Sequence, residues 1–193
     1  MPRSAGVPEL LAALSGAMEE LGAGWYLFGA QAVQIWGLPR LSADVDVTVL
    51  PGEVSSAALV ESLERRGFDL RVPDVEDFVR RTRVLPFVHR ASRLPLDLVL
   101  GGPGPEEEFL SRARKVLVEG VEIPVISPED LIVTKVLASR PKDLEDVSGI
   151  LRSRGQSLDV ARVRRLLGLL EEALGQSDLL PAFERQLHTA RQG

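Results

Sequence analysis

The stretch from Trp25 to Leu50, WYLFGAQAVQIWGLPRLSADVDVTVL, constrains the fold more than any other part of the chain. It reads as a strand, a helix that starts at a glycine, and a second strand over 44–50 that carries Asp44 and Asp46. Side chains alternate along a strand, so both carboxylates fall on one face and Val45, Val47 and Val49 on the other. Two acids held side by side by a rigid strand form a divalent-cation site. Gly29 opens the helix directly after the first strand, which leaves backbone N–H groups aimed at whatever binds there, and a phosphate is the natural guest. Read alone, Gly29 is equally well explained as a tight strand-to-helix turn.

With 193 residues, 45% of them hydrophobic, the chain can bury a full core as one domain, or as one domain with a helical extension. No apolar run is long enough to span a bilayer, and the N-terminus lacks the order of a signal peptide, so a cytoplasmic protein is expected, with no membrane partner. The absence of cysteine excludes disulfides, thiolate metal sites and cysteine nucleophiles, and His89 and His188 are too few for a histidine-rich zinc site. A net charge of −5 argues against broad attraction to nucleic acid, while a local basic patch stays compatible with it.

Along the chain, apolar spacing predicts a helix over 8–21, ended by Gly22 to Gly24, then a strand from Trp25 to Phe28 and a short helix over 30–36. After strand 44–50 and Pro51-Gly52 comes an amphipathic helix over 54–66, ended by Gly67. Strands over 82–89 and 95–100 flank the turn-prone RASR and should pair as a hairpin. A helical or irregular piece follows at 106–114, then a small hairpin over 115–125 about Glu119-Gly120, then helices over 128–139, 142–153, 159–174 and 179–188. The expected architecture is a mixed α/β part over 1–126 and a C-terminal helical region over 127–193 packed on it.

Asp97 lies in the apolar run LPLDLVL, where a carboxylate needs a partner. If strand 95–100 lies beside strand 44–50, then Asp44, Asp46 and Asp97 make three oxygen ligands for one or two magnesium ions, which would bridge nucleotide phosphates. Asp97 could also take the proton from an attacking hydroxyl. The plainer reading pairs Asp97 with Arg83 or Arg90 and leaves Asp44 and Asp46 on a solvated face.

Ser127-Pro128-Glu129-Asp130 reads as a helix start with a capping hydroxyl, proline at the first helical position and acids in the first turn. Lysine occurs only at 115, 135 and 142. Lys135 falls inside the apolar arc of its helix, so its ammonium either snorkels along the core edge or points at a triphosphate. Asp143 lies inside the arc of the next helix. It either complements the helix dipole or orients Lys135, Lys142 or Arg140. The arginines at 162, 164, 165, 185 and 191 read most simply as solvated helix faces, and an RNA-binding surface is the other reading.

The motifs FGAQAV (28–33), RLSADVDV (40–47), LDL (96–98) and SPEDLIVTKVLASRPKDLED (127–146) together resemble the nucleotidyltransferase superfamily of the DNA polymerase beta type. Within it the chain is similar to the AbiEii-like and minimal nucleotidyltransferases of bacterial toxin–antitoxin pairs, over roughly residues 25–151. The resemblance implies a nucleotidyltransferase-type mixed sheet flanked by helices, followed by a helical region that helps hold the nucleotide. It implies metal ligation by Asp44, Asp46 and Asp97, phosphate contacts from the Gly29 turn and Lys135, and matches at Arg40, Lys142 and Asp143. At Ala30 and Gln31, where such proteins usually place a second glycine or a hydroxyl residue, the chain departs from the pattern. The activity implied is magnesium-dependent transfer of a nucleoside monophosphate from an NTP to an acceptor hydroxyl with release of pyrophosphate. The acceptor would be a tRNA 3′ end, as for a toxin with a cognate antitoxin. Alternatives are a tyrosine of a partner protein, an aminoglycoside, or no turnover in a binding module of the same fold.

Overall fold

The computed structural model describes residues 6–39, 42 and 44–192. Their contacts divide into two compact units, Met1–Gln31 with Leu41–Ile126 and Ala32–Arg40 with Ser127–Gly193.

The first unit is a mixed seven-stranded sheet with helices. Its strands are β1 (Gly24–Phe28), β2 (Val45–Leu50), β3 (Phe68–Leu70), β4 (Val84–His89), β5 (Pro95–Leu100), β6 (Arg114–Val118) and β7 (Val121–Val125), in the spatial order β3-β4-β5-β2-β1-β7-β6. Val45, Val47 and Val49 of β2 and Leu96 and Leu98 of β5 are fully buried, so these central strands send their apolar sets to one face. The helices are α1 (Val7–Leu21), α3 (Ser56–Arg65), α4 (Val75–Thr82) and α5 (Pro105–Ser111), while α2 (Gly29–Trp36) is divided between the two units. α1 buries Leu10, Leu11, Leu14, Ala17 and Met18 along one stripe. The Ser55 hydroxyl accepts from the Ala58 N–H and starts α3 two residues later than its apolar pattern suggests.

The hairpin expected over 82–100 forms as antiparallel β4 and β5, and β5 lies parallel to β2. Glu119 and Gly120, with φ of 47° and 92°, close the two-residue turn between β6 and β7. The piece expected over 106–114 divides: α5 ends at Ser111, and Arg114 already belongs to β6. Two elements went unread between Gly67 and Thr82. β3 is only three residues long, and α4, although Val75, Phe78 and Val79 fall at helical spacing, is only eight residues long and buries none of them.

The second unit holds α6 (Pro128–Ala138), α7 (Pro141–Arg154), α8 (Val160–Leu174) and α9 (Leu179–Gln192), with a single 3-10 turn at Gly155–Ser157. α9 runs past the expected end at 188. Ser127 caps α6, its hydroxyl accepting from the Asp130 N–H at 3.1 Å. Arg154 donates to the carbonyls of Ile35 and Trp36 at 2.7 and 2.9 Å and stacks over the Trp36 ring, which satisfies the last turn of α2. Arg162 corrects the reading of the C-terminal arginines as solvated faces. It is buried, and its guanidinium grips the Oδ1 of fully buried Asp130 at 2.7 and 2.9 Å, because a carboxylate withdrawn from water draws its counter-charge in with it. Among the described residues no helix is long and apolar enough to cross a membrane.

Candidate active site

Asp46 and Asp97 are register partners on the parallel strands β2 and β5. Neighbours in register point to the same face of a sheet, so the two carboxylates stand side by side on the face opposite the buried valines and leucines. Their row continues outward, Asp97 pairing with Pro86 of β4 and Asp46 with Phe28 at the end of β1. The site therefore lies where β1 runs out and β2 begins.

Gly29 follows Phe28 with a φ of 65°. A Cβ on it would stand 2.1 Å from the Asp46 Oδ2, closer than atoms can approach. Glycine is required here twice over, for the left-handed backbone and for the space beside the carboxylate. The first turn of α2 is thereby held against Asp46.

Asp44 lies one residue ahead of β2, which corrects the expected strand bounds. Outside the ladder, alternation no longer fixes its side chain to the face of Asp46. Another contact holds that segment: the Gln31 amide nitrogen donates to the Ser42 carbonyl at 3.1 Å and reaches the Asp44 carbonyl at 3.5 Å. Gln31 is thus a buried tether from α2 to the approach of β2. Ala30, the other departure from the family pattern, is also buried. Among the described residues no three carboxylates or histidines gather into a ready metal cluster.

The partner of Asp97 is neither Arg83 nor Arg90. Arg83 donates to the Leu100 carbonyl, and Arg90 donates to Asp69 and the Glu64 carbonyl. Arg71 instead binds the Asp97 Oδ1. Its backbone N–H donates to the Pro86 carbonyl at 2.9 Å, which sets Arg71 in the same row as Pro86 and Asp97. The alternation of Phe68 and Leu70 with Asp69 and Arg71 was the signal that could have revealed it. Each side chain of this pair is 40% exposed, so water and solutes reach it.

The helical unit gathers a different set. Lys135 is buried, and its ammonium donates to the Asp143 Oδ1 at 2.9 Å and the Asp146 Oδ2 at 2.8 Å. Arg140 adds a bond at 2.5 Å to the Asp143 Oδ2. Burial pushes the Asp143 carboxyl up, but the hydrogen bonds from Arg140 and Lys135 outweigh it and hold the carboxyl below its ordinary range. Asp143 therefore does orient Lys135 and Arg140, while Lys142 is exposed on the first turn of α7. Asp146, the second acid of this motif, was not singled out in the sequence. Its i, i+3 spacing from Asp143 on one helix face was the available signal. Arg40 lies outside the described residues.

Several solved structures share the fold. The solution structure of the antibiotic-resistance factor ANT(2'')-Ia superimposes with a TM-score of 0.59 at 15% identity, covering 90% of this chain and 97% of that one. A nucleotidyltransferase-like antigenic protein from Paracoccidioides brasiliensis gives 0.55 at 16%, covering 94% and 95%. The lincosamide antibiotic adenylyltransferase LnuA, with lincomycin bound, gives 0.53 at 14%, covering 77% and 98%. No curated protein sequence matches the chain. Residues 12–192 match the family described as nucleotidyl transferase AbiEii toxin of a type IV toxin–antitoxin system. With nearly the whole chain matched and the carboxylate pair set on a nucleotidyltransferase sheet, the chain belongs to the AbiEii nucleotidyltransferase family.

Proposed function

We propose that this nucleotidyltransferase moves a nucleoside monophosphate from an NTP to the 3′ hydroxyl of a tRNA in the cytoplasm, with magnesium at Asp46 and Asp97 and with Asp44 as the third ligand. The observation that carries the reading is the Asp46–Asp97 register pair with Gly29 pressed against Asp46. Carboxylate oxygens suit a hard cation such as magnesium, and the missing Cβ at Gly29 lets the first turn of α2, with its backbone N–H groups, lie directly against the Asp46 carboxylate.

Bound there, magnesium would neutralise charge on the triphosphate and in the transition state. The chain's own residues do the rest. N–H groups of Gly29, Ala30 and Gln31 in the first turn of α2 face the phosphates, and Ala30 serves through its backbone without needing a hydroxyl. Asp97 accepts the proton as the acceptor oxygen bonds to the α-phosphorus and the bond to the leaving pyrophosphate breaks. Arg71 holds one Asp97 oxygen, Oδ1, and fixes the direction of the other. Lys135 spends two of its three N–H donors on Asp143 and Asp146, and the reading gives the third to a nucleotide phosphate, with Arg40 and Lys142 as further phosphate contacts. The family description supports a toxin role and hence a cognate antitoxin.

The test is transfer of label from each α-labelled NTP, with and without magnesium, into separated RNA, protein and small-molecule fractions, for wild type and Asp46→Asn. Label in tRNA that requires both magnesium and Asp46 is expected. Label in protein, or in an added aminoglycoside, would replace tRNA as the acceptor, and label independent of Asp46 would sink the site itself.

A further inference from the structure

Among the described residues the sheet ends on one side at β6, and this edge has properties that the active site does not explain. Leu117 in its middle is 70% exposed, more than any other large apolar side chain among the described residues. Lys115 and Glu119 on either side of it are also exposed. The Lys115–Glu122 pair, at 3.0 Å with both side chains mostly in water, holds the ammonium only weakly.

The hairpin decides which backbone groups the edge offers. Val118 and Val121 close a two-residue turn, and such a closing pair is hydrogen-bonded. Bonding then alternates, so Val118, Val116 and Arg114 turn their N–H and C=O groups to β7. Lys115 and Leu117 turn theirs outward, and Glu119, exposed in the turn with a φ of 47°, stands just past the end of the strand. An antiparallel second copy can meet this edge only through those outward groups, which leaves few registers. Lys115 opposite Lys115 sets like charges together. Lys115 opposite Leu117 puts an ammonium beside an apolar side chain on both sides of the twofold axis. Leu117 opposite Leu117 pairs apolar with apolar and brings Lys115 against Glu119 of the second copy, twice.

We infer that β6 is a self-association edge, on which a second copy of this chain pairs antiparallel about Leu117 with Lys115 facing the partner's Glu119. Such a contact is isologous, so it closes as a dimer and does not propagate. Lys115, a residue type that ordinarily guards edges against indiscriminate pairing, here rejects the wrong registers. A five-residue strand pairing is small beside a standard interface of roughly 1,600 Å². The dimer is therefore concentration-dependent and not obligate.

Sedimentation of the full chain over the widest soluble concentration range tests this, with hydrogen exchange on the same samples. Wild type is expected to pass from monomer to dimer, with the amides of Lys115 and Leu117 gaining protection as the dimer forms while Val116, already bonded to β7, does not change. Leu117→Lys, Lys115→Glu and Glu119→Lys should each raise the dissociation constant by roughly tenfold or more. The combined Lys115→Glu, Glu119→Lys chain should recover most of the wild-type affinity, since the swap restores only contacts between copies. Circular dichroism of each variant separates a lost interface from a lost fold. A wild type that is monomeric throughout overturns the inference, as does a dimer in which the double swap restores nothing or the protected amides lie elsewhere.

Discussion

Two groups of charges sit in apolar surroundings in this chain, and they are built on opposite terms. In the strand unit Asp46 and Asp97 stand on adjacent strands with like charges side by side, and Asp97 with its partner Arg71 is 40% exposed. In the helical unit Lys135, Asp143 and Asp146 have side chains 8%, 0% and 4% exposed, and each ion is matched by an opposite one. Like charges placed together near water cost stability unless a cation joins them, whereas opposite charges sealed from water satisfy each other. On the function proposed above, the first arrangement serves a ligand and the second mainly the chain. Substitutions should therefore divide cleanly into losses of activity and losses of stability.

The largest effect is expected in the helical unit. Lys135→Met leaves Asp146 and Asp143 without their shared cation, and breaking a buried pair from one side costs about 3 kcal/mol or more, a fall in melting temperature of roughly 6 to 12 °C for a chain of this size. Thermal melts check this. If the variant melts like wild type but no longer transfers label, Lys135 serves the nucleotide alone, and the contrast between the two groups fails at that residue.

Asp46→Asn should do the reverse. Removing one charge from the carboxylate pair should lower transfer by about 10² to 10³-fold, the scale seen when a preorganised electrostatic contact is lost. Its stability should change by no more than about 0.5 kcal/mol, because Asp46 is only half-buried and lies on the face of β2 opposite the apolar core. Parallel turnover and melting measurements decide it. A large loss of stability with turnover intact would make Asp46 a structural residue.

Gly29→Ala tests the join between the strand carboxylate and the phosphate turn. A left-handed φ of 65° disfavours any Cβ by roughly 1 to 2 kcal/mol, and this Cβ would also displace the Asp46 carboxylate. Both readouts should fall together, with stability falling less than in Lys135→Met and turnover less than in Asp46→Asn. Unchanged turnover would show that Asp46 need not touch the turn.

How much of this was legible in the sequence follows the same division. The placing of Asp46 and Asp97 could be read because alternation is local: DVDV and LDL put these two acids on a face without knowledge of any partner, and a parallel sheet then brings 46 and 97 into register, while Asp44, one residue ahead of β2, escapes that rule. The Glu119-Gly120 turn and the Ser127-Pro128 helix start were legible for the same reason. What escaped was choice of partner across the chain. Arg71, and not Arg83 or Arg90, reaches Asp97 because β3 adds to the sheet beside β4, a pairing that the alternation of residues 68–71 does not by itself disclose. Arg162 looked like one more arginine on a polar face until Asp130, thirty-two residues away, was seen to be fully buried. Gln31 read as a departure from the family pattern and proves to be the tether for the approach to Asp44. Periodicity carries faces and ends, but counter-charges are assigned by packing.

The smallest effect is expected from His89, at the end of β4, and it tests whether titration separates the units as substitution does. His89 is buried against the Phe68 ring, and its Nδ1 shares a hydrogen bond with the Ser92 hydroxyl at 2.9 Å. Burial holds its pKa below the ordinary 6.5, with Glu9 opposing that shift and Arg90 adding to it. The unfolded chain thus binds a proton more readily than the folded one. Stability from this group is fully present above about pH 6.5 and is lost as the pH falls through the folded value. Asp143 acts in a lower window: its folded pKa lies below 3.8, so its contribution persists until the pH drops beneath that value. Denaturant melts from pH 8 down to 3 should therefore show a first shallow loss beginning near pH 6.5, and His89→Gln should flatten that loss alone. If Lys135→Met flattens it instead, the proton enters the helical cluster first, and its charges are less sealed from water than their burial indicates.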